Sequence, residues 1–245
     1  MPEAQAITII WSNVPKEHEE EVRKWHNLEH TTERLEGPGY LCCRRYNRES
    51  GEGRHGRLNF FEAESLAAFD SPYYLRSRNN PTPWTRKSMS LSRDGERGIC
   101  RLAASHGGRP RIESPYLYTV RFDPAPGAEE EIVAWYKEEH LPRMCAVEGV
   151  LRGRLFRRVE ELSDVKTEES KIHGTRGMQG SPRAFAALYD MTTLAPAGGD
   201  AWREAAGGTP RSTAALKKLL NPIREGWWLD FVKYAPAVIQ RLAES

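Results

Sequence analysis

The stretch EEEVRKWHNLEH, residues 19–30, returns as EEEIVAWYKEEH, residues 129–140. The match continues without a gap at an offset of 110 positions, Trp25 on Trp135, from AITIIW against YLYTVR through to GYLCCRRYNR against GVLRGRLFRR. Ten of the thirty pairs between Glu19 and Arg48 are identical, Trp25, Glu29, His30, Gly39, Arg44 and Arg48 among them. Ordinary composition would give roughly two. The chain therefore reads as a duplicated unit, residues 1–110 followed by residues 111–245.

The repeat settles how the histidines of the first copy should be read. His26, Glu29 and His30 spell H-x-x-E-H, a zinc-hydrolase pattern. The second copy keeps Glu139 and His140 but has Tyr136 in place of His26. A metal centre needs at least three protein ligands, so no metal is expected, and what both copies retain is a Trp followed by Glu-His on one helix.

Further on, LNFFEAESL matches AALYDMTTL at an offset of 128 positions, Phe61 on Tyr189, so the second copy carries eighteen extra residues. They fall in the polar, Gly-containing stretch of residues 160–182, which reads as a surface loop. Each copy then runs strand, helix, strand, strand, helix, strand. AITIIWS is β-branched and apolar, while HEEEVRKWHNLEHTTERLE has a helical period with acidic residues in its first turn. That order predicts an α+β fold: two ferredoxin-like repeats, each an antiparallel sheet with helices on one face, packed sheet to sheet as a barrel within one chain.

The rest of the composition narrows the partners. Lys and Arg number 36 against 34 Asp and Glu, a balance without the basic stripe of a nucleic-acid reader. No run of eighteen apolar residues and no signal-peptide pattern is present, so a soluble cytoplasmic protein, monomer or homodimer, is expected, with no membrane and no nucleic acid as partner. Cys42, Cys43, Cys100 and Cys145 lack C-x-x-C spacing and read as reduced thiols. There is no G-x-S-x-G, P-loop or G-x-G-x-x-G.

Several residues are candidates for a small-molecule site. At about 100° per residue, Val22, Trp25, His26 and Glu29 share one helix face, as do Ile132, Trp135, Tyr136 and Glu139. This puts each Glu near the middle of the stripe facing the sheet, where it must be paired, hydrogen-bonded or protonated, or else tie down a backbone amide or a strand arginine. His30 and His140 border the stripe and suit proton transfer near neutral pH. On the second strand Cys42, Arg44 and Tyr46 face one way and Leu41, Cys43 and Arg45 the other. Arg44 and its counterpart Arg154 could grip an anionic substrate group or pair with a buried Glu. The Pro-rich segment NNPTPWTRKS offers Trp84 and Arg86 at a pocket mouth.

The helix pattern W-x-x-x-E-H followed by a Gly-led strand ending in Arg, above all WYKEEHLPRMCAVEGVLRGRLFRR (residues 135–158) together with SPYYLRSRNNPTPWT (residues 71–85), resembles the dimeric α+β barrel superfamily, in particular its EthD-like branch. The resemblance covers both halves and implies a tandem fusion of what is elsewhere commonly a homodimer. It implies a histidine at the His30 and His140 position lining a pocket, and cofactor-independent acid/base chemistry on an aromatic or polyketide-like catabolic intermediate, of lyase, isomerase, cyclase or cofactor-free oxygenase type. His30 and His140 would be proton carriers, Glu29 and Glu139 their neighbours, and Trp25, His26, Arg44, Tyr46, Trp84, Arg86, Trp135, Tyr136 and Arg154 substrate contacts. Two alternatives stand beside it. One is a haem-binding tandem barrel, for which His55, His106 and His173, in loop-like surroundings, offer no recognisable axial-ligand setting; the other is a non-catalytic module that holds an apolar ligand. Because the copies diverge at His26-Asn27-Leu28 against Tyr136-Lys137-Glu138, two unequal pockets are expected, with the main one in the first half.

Overall fold

A computed structural model describes residues 2–110, 113–172 and 183–244. Eight strands close into one antiparallel barrel. The first half supplies β1 (Ala6–Asn13), β2 (Tyr40–Gly51), β3 (Arg57–Ala63) and β4 (Arg93–His106); the second supplies β5 (Tyr116–Pro124), β6 (Val150–Arg158), β7 (Phe185–Met191) and β8 (Leu219–Tyr234). Around the barrel the order is β1-β3-β2-β8-β5-β7-β6-β4. Each half thus contributes a 4-1-3-2 sheet, and two seams, β2 with β8 and β4 with β6, join the halves.

Alternation along the strands divides the side chains between two environments. Inside the barrel lie Ile7, Ile9, Trp11, Tyr46, Phe60, Phe156, Leu188 and Trp227. The outer face of each half-sheet packs under helices. In the first half these are α1 (Glu19–Trp25) and α2 (Thr31–Leu35), followed later by α3 (Pro72–Asn79) and α4 (Pro83–Leu91). The second half has α5 (Glu129–Trp135), α6 (Leu141–Cys145), α9 (Asp200–Gly207) and α10 (Pro210–Leu216), and α11 (Pro236–Ala243) ends the described chain. Gly39 and Gly149 recur because the chain leaves each first helix through the left-handed region, at φ of +78° and +89°.

Three expectations are corrected in part. The stretch from residue 160 is not simply loop: it forms α7 (Glu160–Ser163) and α8 (Glu168–Ile172), while its remainder, His173 included, lies outside the described residues. The Pro-rich segment is helix α4, with Thr82 capping it through a 3.0 Å bond from the Thr85 N–H and Pro83 in its first turn, where a missing N–H costs nothing. His106 ends β4 rather than lying in a loop.

Between α1 and α2 the helix is wound wide. His26–His30 forms a π turn in which the Thr31 N–H reaches the His26 carbonyl, and Tyr136–His140 repeats it with the Leu141 N–H on the Tyr136 carbonyl. Such turns often sit at functional sites. Among the described residues no helix is long and apolar enough to cross a membrane.

Candidate functional site

A cavity of about 120 Å³ lies in the first half between the sheet and its helices. Its floor is a row of residues paired across four strands: Arg45 opposite Asn59, Asn59 opposite Ile10, and Ile10 opposite Arg97. Three inter-strand steps set the backbones of the two arginines roughly 14 Å apart. Thr8 and Phe61 belong to the row on one side of it, and Ser12 and Arg57 to the row on the other. The roof is Val22, Trp25, His26, His30 and Arg34 from α1, the π turn and α2, and Met89 of α4 and Tyr74 and Arg78 of α3 close the side.

His26 is buried, and its Nδ1 lies 3.1 Å from both Arg45 Nη1 and Thr31 Oγ1. Arginine only donates, so Nδ1 accepts and the neutral ring carries its proton on Nε2. That Nε2 is itself buried and has no hydrogen-bond partner among the described residues. Burial, and then the charges of Arg45, His30 and Arg57, hold the His26 pKa well below the ordinary histidine value. His26 is thus a neutral donor at the cavity wall. His30 lines the same cavity four residues on, its ring 4.5 Å from the Trp25 ring and 6.1 Å from Phe61.

Glu29 is not at the middle of the buried stripe. It accepts from Thr82 Oγ1 at 2.6 Å and from Thr85 Oγ1 at 3.1 Å, and the Trp25 indole donates to the same Thr85 at 3.0 Å. The π turn is the reason: more residues per turn means fewer degrees per residue, and a wheel drawn for an α-helix misplaces every residue beyond the turn's start. Glu139 does the same in the second half, accepting from Thr209 and, at 2.8 Å, from Ser212, which also takes the Trp135 indole at 3.1 Å. Both glutamates tie the first helix of their half to a later one. With Glu29 so engaged, the H-x-x-E-H residues do not converge, and among the described residues no three His, Cys, Asp or Glu side chains are grouped to hold a metal ion.

Arg44, Tyr46 and Arg154 face the barrel interior rather than the cavity. Arg44 meets Glu62 at 2.8 Å, Arg154 meets Glu62 at 2.6 Å and Asp190 at 3.2 Å, and Tyr46 stacks on Phe60 at 5.7 Å. The alternation is legible, but the cavity lies on the other face, with Arg45. Trp84 and Arg86 do not line the cavity either: the Trp84 indole donates to Glu21 at 2.9 Å, and Arg86 is exposed. His55 is tied to a strand end away from the cavity, its Nε2 2.8 Å from the Asp94 carbonyl.

In the second half the equivalent space is filled. Tyr136 stacks on Phe122 at 5.9 Å, Trp202 packs on Tyr189, and His140 packs against both Trp135 and Tyr136 with its Nε2 2.9 Å from the Tyr189 hydroxyl. Burial pushes the His140 pKa down to about 3, so it is a neutral packed histidine. The residues that sequence reasoning missed, Arg34, Arg45, Arg57, Arg78, Arg97 and Asn59, carry one usable signal: His26, His30 and Arg34 recur at intervals of four on one face, and the second copy has Met144 at the last of them.

The fold is an antiparallel sheet closed into an α+β barrel by one chain, and it is shared with solved structures of low sequence identity. An anthrone oxidase-like protein superposes over 95% of this chain and 94% of its own at a TM-score of 0.59 and 13% identity. A protein described as a candidate monooxygenase, from Lactobacillus acidophilus, does so over 95% and 97% at 0.54 and 9%. A mutant chlorite dismutase from Candidatus Nitrospira defluvii covers 99% and 96% at 0.51 and 9%. No protein-family model matches the sequence and no curated protein sequence is similar to it.

Proposed function

We propose that the chain is a small-molecule enzyme whose active site is the first-half cavity, working by cofactor-independent acid/base chemistry on an aromatic or polyketide-like molecule. The observation that carries this reading is the pairing of a neutral donor, His26 Nε2, with a second histidine, His30, in a cavity whose apolar lining includes Trp25, Phe61, Ile10 and Met89. In this scheme His30 removes a proton from a phenol or from a ring C–H beside a carbonyl. His26 donates to the oxygen on which negative charge then gathers, and Arg45, held by Asp230 at 2.7 Å, keeps His26 in the donating tautomer. Lyase, isomerase, cyclase and cofactor-free oxygenase reactions all begin with such a step. The names of the like-folded proteins, anthrone oxidase-like and monooxygenase, incline the reading toward the last.

The same reading takes the chain as a tandem duplication divided at residues 110 and 111, of EthD-like type, supported by the recurrent Trp, Glu-His and Gly positions and by the two π turns. Against a haem ligand in the second half, His140 is buried with its Nε2 turned to the Tyr189 hydroxyl and its ring packed against Trp135 and Tyr136. Turnover measured across anthrone-like, phenolic and quinone-forming substrates tests the proposal. His30→Ala should lower kcat/KM by roughly 10²- to 10⁴-fold, while His140→Ala keeps the activity of whatever protein folds. Loss with His140→Ala alone would move the site to the second half, and saturable binding of these compounds without any turnover would leave a binding module.

A further inference from the structure

The charge of the cavity is lopsided. Among the described residues its lining carries five arginines, Arg34, Arg45, Arg57, Arg78 and Arg97, against one carboxylate, Glu169. Arg45 and Arg57 are engaged at the His26 edge, with Asp230 at 2.7 Å and Glu19 at 3.6 Å. At the opposite edge the other three gather around Tyr74. Arg34 and Arg78 lie 5.7 and 5.6 Å from its ring centroid, and Arg97 donates to its hydroxyl. Arg97 also donates to the Ser163 carbonyl, so these two partners leave its charge without a counter-charge. Glu33 adds a contact to Arg34 at 3.3 Å from outside the cavity.

Glu169 stands between Arg34 and Arg78, one carboxylate oxygen on each, the second at 3.4 Å. It is 5% exposed, and it arrives from an unexpected place. Its helix α8 belongs to the β6–β7 connection of the second half, the segment that is eighteen residues longer than its first-half counterpart. The cavity's carboxylate is therefore supplied by an addition to the repeating frame, not by the frame itself.

We propose that the Arg34, Arg78 and Arg97 edge is a carboxylate-binding subsite, that the natural ligand is a ring-bodied carboxylic acid, and that Glu169 occupies the subsite until the ligand's carboxylate exchanges with it. The inference rests on the first-half cavity being the ligand site proposed above. Taking a carboxylate out of water is costly unless charged partners receive it, and guanidinium pairs receive it best. Exchange of one carboxylate for another leaves no buried guanidinium unpaired, whereas a neutral ligand would have to displace Glu169 at full cost or leave it in place. The dimensions fit an acid whose ring reacts. His30 and Arg34 are one helical step of four residues apart, roughly 6 Å along the axis, so a carboxylate at Arg34 sets its ring beside His30 and Trp25.

Calorimetric titration of the full chain with benzoate, 2-naphthoate and their methyl esters tests this. In the wild type at least one acid should bind about tenfold or more tightly than its ester. Glu169→Gln, which keeps shape and removes charge, should tighten the acid by about tenfold and leave the ester unchanged, and Arg78→Gln should undo the acid's preference. Equal binding of acid and ester, no binding of either in both wild type and Glu169→Gln, or a Glu169→Gln protein that folds and does not gain affinity for the acid would each overturn the subsite. Should Glu169→Gln fail to fold, the wild-type comparison of acid with ester still decides. An acid preference without turnover of any substrate would sink the enzyme reading and spare the subsite; turnover of neutral substrates with acid and ester bound alike would do the reverse.

Discussion

The two halves are alike where they are built and unlike where they enclose space. Trp25 and Trp135 donate to Thr85 and Ser212, Glu29 and Glu139 accept from Thr82 and Thr209, and both helices carry the π turn. Beneath that common roof the floors differ. Arg45–Asn59–Ile10–Arg97 in one half answers to Leu155–Ala187–Val120–Arg224 in the other. Phe61 answers to Tyr189, whose hydroxyl takes up His140, and Cys43 answers to Gly153, where an added Cβ would come within 2.8 Å of Leu141. The second helix therefore sits down on its sheet and the first stands off. Between the halves, identical residues mark the frame, and differing residues mark the cavity.

The barrel interior is the part that both halves share, and it should give the largest response. Arg154→Met strips Glu62 and Asp190 of a buried partner and should cost about 3–5 kcal/mol in urea unfolding. A loss of under about 1 kcal/mol would mean that the remaining arginines suffice. Tyr136→Ala hollows a filled space and should cost about 3 kcal/mol or more, whereas His26→Ala, enlarging a cavity that already exists, should cost about 1 kcal/mol. Equal losses would break the contrast between the halves.

The acid limb of stability is next. Burial pushes the Glu62 and Asp190 pKa values up, but Arg44 and Arg154 outweigh it and hold both below the ordinary carboxylate range. A folded pKa below the unfolded one gives stability that is full above the unfolded value and drains as pH falls through the folded one. The urea midpoint should therefore fall from about pH 5 toward about pH 3, and Asp190→Asn should flatten that slope. Glu225, at the other end of the barrel, is raised by burial and works in the opposite sense. The smallest effect tests the frame itself: Glu29→Gln and Glu139→Gln should each cost about 1 kcal/mol, and by similar amounts, because each loses the charge from two hydroxyl hydrogen bonds. Loss of activity in Glu29→Gln without loss of stability would instead return Glu29 to the chemistry.

Repetition made the fold legible. A gapless offset through Trp25 and Trp135, with strand alternation on either side, is enough for the order of elements along each half and for the barrel, though not for which strands meet at the seams. The site was only half legible, because repetition drew attention to residues kept in both copies. Trp25, His26 and His30 do line the cavity, but Glu29, Glu139, Arg44 and Arg154 hold the structure. Choosing Arg44 over Arg45 depended on knowing which sheet face meets helices, and a one-residue alternation is silent on that. Placing Glu29 required the π turn, which no α-helical wheel contains. Glu169 reaches Arg34 across 135 positions of sequence, a juxtaposition set by the barrel seams and invisible to local pattern.

The seams also fix an order of events during folding. β8 pairs with β2 on one side, Cys42 opposite Tyr234, and with β5 on the other, so the strand that completes the barrel is the last of the eight to leave the ribosome. Until residues 219–234 emerge, β2 and β5 each present an unsatisfied strand edge, and closing the ring then joins residues separated by most of the chain. Such high contact order slows folding and prolongs the life of sticky edges. Pulse-labelled hydrogen exchange during refolding should find the β2–β3 and β5–β7 pairs protected early and both faces of β8 protected last and together.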